Sequence, residues 1–190
     1  MNLEGWIAIG VVVLVLVYAI AIYNRLVRLR ALVKEGFSGI TVQLRRRADL
    51  VPNLVETVQG YASHERETLD AVTAHRSDAI GGGSVRQTAE ADAMMTGLLG
   101  RLMAVAEAYP DLKADDNFRQ LSSELSSLET ELQSARRYYN ATVRDLNTRV
   151  QSFPDTLFAR PMGFTEEPSY EDADQSIQSA PKVSFPRPAA

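Results

Sequence analysis

GWIAIGVVVLVLVYAIAIY, Gly5 to Tyr23, decides the fold, because no charged residue interrupts it. As an α-helix it is roughly 28 Å long at about 1.5 Å per residue, which matches the hydrocarbon core of a bilayer. Trp6 and Tyr23 stand at its ends, where amphipathic rings prefer the headgroup region. Glu4 precedes the run and Arg25, Arg28, Arg30 and Lys34 follow it at once. The positive-inside rule therefore predicts a single span with the amino terminus outside and everything after residue 24 in the cytoplasm. A cleaved signal peptide is the rival reading, since Ala19-Ile20-Ala21 resembles a small-x-small cleavage site. The leading MNLE lacks a basic n-region, however, and the basic cluster after the run would resist translocation, so an uncleaved anchor over 1–23 is expected.

The whole chain of 190 residues leaves room for one modest domain after that anchor. A net charge of -4 argues against nucleic acid as a partner, because such proteins carry a basic balance or a basic face. The sequence contains no cysteine, which excludes disulfides, thiolate catalysis and cysteine-based zinc sites. Arg25, Arg28, Arg30 and Lys34 are the expected contacts to anionic headgroups, by their position beside the span.

Beyond the anchor, apolar residues recur at Val33, Phe37, Ile40, Leu44, Val51, Leu54, Val58, Tyr61 and Val72. Steps near three and four predict one long amphipathic helix over about 24–78, or two in phase, with Arg47, Glu65 and Thr68 filling gaps in the stripe. No strong breaker separates it from the span. Ile80-Gly-Gly-Gly-Ser84 reads as a flexible linker, because a phosphate-binding loop would need a lysine and a strand that are missing. Val85, Met95, Leu99, Leu102, Ala106 and Tyr109 mark a second helix over about 85–108, stopped by Pro110. Asp115 or Asp116 is a natural N-cap for a third helix over about 116–153. Its stripe runs through Phe118, Leu121, Leu125, Leu128, Leu132, Ala135, Tyr139, Leu146 and Phe153, and Pro154 ends it. The expected fold is all-α: a transmembrane helix followed by an antiparallel, coiled-coil-like bundle of long helices over 24–153. Residues 154–190, rich in proline and acids, read as a mostly disordered tail in which Phe158, Phe164 and Tyr170 are candidate anchors.

The segment DLVPNLVETVQGYASHE, Asp49 to Glu65, raises two questions. Pro52 marks either a helix start capped by Asp49 or a kink in a continuous rod, and the unbroken phase of the stripe favours the kink. His64-Glu65 would open a zinc-protease motif only with a histidine at position 68, which is threonine. On one helix His64 and His75 would lie about 16 Å apart, too far to share an ion. Arg47 and Glu65 occupy apolar stripe positions and need partners: Glu107, Glu124 or Glu131 for Arg47, and Arg136 or Arg137 for Glu65. Leaning out to solvent is the alternative for both. The run Arg45-Arg46-Arg47 stands roughly 33 Å beyond Tyr23 on an upright rod, out of reach of headgroups. It reads as a solvated face with local ion pairs to Asp49 and Glu35, ahead of a docking patch.

Several words of this sequence, in order, resemble the LemA family of bacterial membrane proteins. They are Tyr23-Asn24, VQLRRRADLVPNLVETVQGYASHE (Val42–Glu65), AVAEAYPDLKADDNF (Ala104–Phe118), ELSSLETEL (Glu124–Leu132), ARRYYNATV (Ala135–Val143) and Phe153-Pro154. The chain departs from the commonest pattern at Gly36-Phe37, where Ala-Trp is frequent, and at Ala48, often Tyr, so packing differences are expected there. The resemblance implies one amino-terminal span, a cytoplasmic helical bundle, no enzymatic activity and no cofactor. It also implies a link to membrane proteases, to membrane stress or to the organisation of membrane assemblies. A membrane-anchored scaffold or adaptor is then expected, binding other membrane proteins, a membrane protease among them, or itself. Its exposed residues for that purpose would be Arg45, Arg46, Asp49, Asn53, Glu56, Tyr109 and Asp111. The alternatives are a sensor of membrane stress or lipid charge, and an enzyme. Bundle metal sites use glutamate three residues before histidine, whereas Tyr61 and Val72 hold those positions here, so the enzyme reading is poor.

Overall fold

The computed structural model describes residues 3–76, 78 and 83–170. Its helices are α1 (Leu3–Tyr61), α2 (Arg66–Ala74), α3 (Val85–Ala108), α4 (Pro110–Ala114), α5 (Asp116–Gln151) and α6 (Thr156–Ala159), with no strand among the described residues. The all-α class read from the periodicity holds. The apolar run and the first bundle helix are a single element of 59 residues, long and apolar enough to cross a membrane. Its amino-terminal part is almost wholly exposed, and burial begins at Ile22 and Leu26.

Pro52 lies inside α1, so the helix neither starts nor stops there. A proline in a helix interior has no N–H to offer the carbonyl four residues back, which here is that of Ala48. Arg76 Nε donates to that oxygen at 2.9 Å. The orphaned acceptor is thus satisfied from outside the helix.

Of the two readings of residues 24–78, one long helix or two in phase, the structure has two, but the second folds back on the first. Residues 62–65 turn, and α2 then leads back along α1, since Arg76 just beyond it reaches Ala48 and pairs with Asp49 at 3.4 Å. Glu65 and Thr68 were placed in the stripe by extending its phase past this turn. The reversal matters for the rest of the bundle. Simple alternation of three long helices would set the first and third parallel, whereas here they oppose one another. Going up α1, Phe37 meets Tyr139 (ring centroids 5.9 Å apart), Arg46 meets Glu131 (3.4 Å), Arg47 meets Glu129 (3.1 Å) and Tyr61 meets Asp115 (3.0 Å). Partner numbers fall as α1 numbers rise, so α5 runs antiparallel to α1. The two pack tightly at Gly36, where an added Cβ would lie 3.1 Å from the Tyr139 Cα.

The ends of α3 and α5 follow from their caps. Ser84 accepts from the Gln87 backbone N–H and Gln87 Oε1 accepts from the Ser84 backbone N–H at 2.9 Å, a reciprocal capping box that starts α3. The remainder of the expected glycine linker, residues 80–82, lies outside the described residues. Pro110 ends α3 and opens α4 at a position where its missing N–H costs nothing. Asp115 accepts from the Phe118 N–H at 2.9 Å and caps α5, as its sequence position predicts.

Two apolar cores result. The one nearer the apolar run joins Leu26, Val33, Ile40 and Leu44 of α1 to Tyr139, Val143, Leu146 and Val150 of α5. The distal one gathers Val51, Leu54 and Val58 with Leu69, Val72, Met95, Leu102, Leu112 and Phe118. Over residues 154–170 the segment expected to be mostly disordered packs on the bundle, through the aromatic residues read as candidate anchors. Phe164 and Tyr170 are buried and Phe158 is half-buried, all packed on the first core. Phe153, expected to close the α5 stripe, points outward instead. Residues 171–190 lie outside the described residues.

Candidate functional site

Between the two cores sits a set of charges. Arg47 follows Leu44 and precedes Val51 on the buried face of α1, and it is 2% exposed. Its Nη2 meets Asp92 Oδ1 of α3 at 2.5 Å and the Asp92 carbonyl at 3.2 Å; its Nη1 meets Thr96 Oγ1 and Glu129 Oε2, each at 3.1 Å. Asp92 is as deeply buried as Arg47. Its Oδ2 accepts from Arg136 of α5 and, at 2.7 Å, from the Tyr170 hydroxyl. Arg136 also lies over the Tyr170 ring, 5.5 Å from its centroid. Two guanidinium groups and two carboxylates close on each other, tying α1, α3, α5 and the carboxy-terminal segment at one level. A charge buried alone would cost several kcal/mol, so each member requires the others.

The titration behaviour follows from this packing. Burial opposes charge on Arg136, but the Asp92 carboxylate beside it outweighs that and holds its pKa above the ordinary value. Burial, reinforced by Asp92, drives the Tyr170 hydroxyl well above its usual range. Burial, then Glu167, pushes Tyr139 up to about 12.

A strap leads from the carboxy-terminal end of α5 to this tie. Asn147 Nδ2 donates to the Glu167 carbonyl at 2.8 Å and its Oδ1 accepts from the Glu167 N–H at 2.9 Å. Tyr139 donates to the Pro168 carbonyl at 2.8 Å, and Asn140 Oδ1 accepts from the Tyr170 N–H at 2.8 Å. Asn140 and Asn147 are two helical turns apart, about 10.5 Å, a distance that three extended residues of the strap cover at about 3.3 Å each.

Sequence reasoning foresaw that Arg47 needed a partner but named the wrong ones. Glu107 pairs with Lys113, Glu131 with Arg46, and Glu124 lines a shallow recess with Arg46 and Asp49. Arg136, proposed for Glu65, serves Asp92, and Arg137 bonds Ser134. Glu65 makes no side-chain ion pair among the described residues; it precedes α2 in the turn. Asp92 was missed, although it lies three residues before Met95 and seven before Leu99, in phase with the α3 stripe. His64 falls in the turn and His75 at the end of α2, 3.3 Å from Asp78, so they do not share one helix. Among the described residues no group of three or more His, Cys, Asp or Glu is placed to hold a metal ion.

The expected binding residues are surface positions that do not form one cluster. Arg46 and Asp49 share the recess between α1 and α5; Arg45, Asn53 and Glu56 are exposed on α1; Tyr109 and Asp111 lie at the far end beside α4. Asp49 pairs with Arg76 rather than with the arginine run. Beside the apolar run, Arg25, Arg28 and Lys34 are exposed, while Arg30 is half-buried, 3.8 Å from Glu167 and over the Phe164 ring.

A long apolar helix continuous with a helical bundle defines a membrane-associated helical protein. The LemA family model matches residues 36–185, and the chain belongs to the LemA family. Protein LemA of Metamycoplasma hominis is 30% identical over 132 residues, 68% of this chain and 60% of that protein. Magnetosome protein MamQ of Magnetospirillum gryphiswaldense is 25% identical over 168 residues, 75% of this chain and 62% of its own length. Magnetosome protein MamQ 2 of Paramagnetospirillum magneticum is 23% identical over 176 residues, 79% of this chain and 65% of its own. The chain thus matches less than two thirds of the length of each of these relatives.

Proposed function

We propose that this protein is a non-enzymatic, single-span scaffold or adaptor of the bacterial cytoplasmic membrane, with its amino terminus outside and its bundle on the inner face. The observation that carries the reading is the uninterrupted α1 of 59 residues. The part beyond Tyr23 is a post about 57 Å long at 1.5 Å per residue, locked to α5 and α3 by the buried tie. Such a post presents fixed polar faces at set heights above the bilayer, which suits recruitment of other membrane proteins, a membrane protease among them, or of further copies of itself. The tie favours cohesion over turnover, because both Asp92 oxygens are already engaged. Two relatives named as magnetosome proteins support a part in a larger assembly.

The test is photocrosslinking in membranes from Arg45, Asn53, Glu56 and Asp111, each replaced by a photoreactive residue in the full chain, with identification of the adducts. A defined membrane protein captured from several of these positions establishes the adaptor reading. Adducts only to the protein itself replace it with self-assembly, and no adducts from any position remove it. Orientation is read separately, from the accessibility of cysteines introduced at Asn2 and Asn53 to a membrane-impermeant reagent.

A further inference from the structure

At the turn after α5, apolar side chains face outward: Phe153 is 80% exposed, Leu157 61% and Met162 36%. The patch adjoins the span. Phe158 packs edge-on against Tyr18, with ring centroids 6.2 Å apart, and Phe164 packs edge-on against Tyr23 at 5.8 Å. Tyr18 lies five residues inside the apolar run from Tyr23, which sets Phe158 about 7.5 Å deeper along α1 than Phe164. Interfacial elements seat their apolar faces at about that depth, 5–10 Å into the boundary of headgroup and acyl chain.

The charges around the patch fit the same surroundings. Asp155, the carboxylate within the turn, is buried and paired with Arg149 at 3.3 Å, so no acid is presented at the tip. Glu166, the next exposed carboxylate, comes after Phe164, where the strap leads back to the bundle. Arg160 is exposed beside α6, and Arg25 and Arg28 are exposed on α1. An apolar tip with a cationic rim results.

We infer that residues 153–164 form a foot that enters the bilayer surface beside the span, Phe153 and Leu157 at the acyl-chain boundary and Arg25, Arg28 and Arg160 at anionic headgroups. The inference rests on the spanning role of Gly5–Tyr23. The occupant is lipid because, through Phe158 and Tyr18, the patch is continuous with the exposed apolar wall of α1 that the bilayer would cover.

The sequence has a single tryptophan, Trp6. In a Trp6→Phe background, Leu14→Trp, Phe153→Trp, Leu157→Trp and Tyr138→Trp each place one fluorophore at a position exposed in the fold. The full chain is reconstituted in phosphatidylcholine–phosphatidylglycerol vesicles containing phosphatidylcholine brominated either near the headgroup or near the chain end. Tryptophan at 153 and 157 should lose about half of its emission to the shallow bromines and far less to the deep ones, as an interfacial element would. Leu14→Trp should be quenched by the deep bromines and Tyr138→Trp by neither. If Leu14→Trp is quenched while positions 153 and 157 behave like position 138, the foot is refuted and the span stands. Blue-shifted but unquenched emission at 153 and 157 would assign the patch to a second protein chain and equally overturn the inference. Loss of quenching at Leu14→Trp would remove the span and the foot together.

Discussion

Arg76 Nε donates a 2.9 Å hydrogen bond to the carbonyl oxygen of Ala48, the acceptor that Pro52 leaves without its helical N–H. A side chain from another helix thus repairs what a proline breaks. Because Arg76 is partly exposed and its ion pair with Asp49 is a surface one, that salt bridge adds little. Arg76→Ala should therefore cost about 1 kcal/mol, mainly the lost hydrogen bond. In a Pro52→Ala background most of that cost should vanish, since the substituted residue supplies the missing N–H. Urea unfolding in detergent, followed by helical circular dichroism, measures the cycle; an unchanged cost in the second background would refute this role.

At the tie, removal of one partner should hurt more than removal of a pair. Asp92→Ala leaves two guanidinium groups to share Glu129, and Arg47→Ala leaves Asp92 only Arg136 and the Tyr170 hydroxyl, so either alone unbalances the buried charges and should lower stability by about 3–5 kcal/mol. Arg47→Met with Asp92→Leu should lose clearly less than the two single losses together, because Arg136 keeps Glu129 within reach at 3.7 Å. Additive losses in the same unfolding assay would show that these residues are not coupled.

Tyr170→Phe keeps the ring and deletes the hydroxyl that reaches Asp92. Hydrogen bonds to charged groups contribute about 1.5–3 kcal/mol, so the strap should open while the bundle stays folded. Hydrogen exchange should rise at residues 164–170 and remain unchanged at 51–58. Equal acceleration in both segments would mean that strap and bundle open as one unit.

High pH should weaken the protein through the same hydroxyls. Tyr139 ionises near 10 when unfolded and near 12 in the fold, so the folded state keeps a proton that the unfolded state loses. Its contribution is fully present below pH 10 and disappears as pH rises toward 12. Tyr170, raised for the same reason, acts in the same direction. Tyr139→Phe should flatten the fall of stability across this window, and an ultraviolet titration should show one fewer late-ionising phenol.

Gly36 tests the tight packing of α1 against α5. Leucine there must push the Tyr139 backbone aside and should cost about 1–3 kcal/mol. Alanine should be nearly neutral, its helix-propensity gain of about 1 kcal/mol offsetting the tight 3.1 Å contact with the Tyr139 Cα. A large loss with alanine would mean that the two backbones cannot separate even slightly.

What the sequence disclosed was local. The long apolar helix follows from missing charges, the α5 cap from one aspartate, and the stripes from steps of three and four. The turn at residues 62–65 escaped notice because the apolar phase crosses it and no proline marks it. Asp92 escaped because one acid in an alanine-rich stretch looks like a solvated position, although its phase with Met95 and Leu99 pointed inward. Phe164 and Tyr170 were legible as candidate anchors, but the path of the strap between them was not, because its composition is that of a tail. Between those anchors its backbone bonds to Tyr139, Asn140 and Asn147, and such pairing leaves no hydrophobic signature in residues 165–169.

On the proposed spanning role of Gly5–Tyr23, the apolar and bundle segments of α1 share one backbone, and the helix would act as a lever. With about 57 Å beyond Tyr23, a change of about 10° in the tilt of the span, of the kind bilayer thickness imposes, swings the Tyr61 end sideways by about 10 Å. Membrane thickness would then be converted into reach at the far tip, where Tyr109 and Asp111 stand.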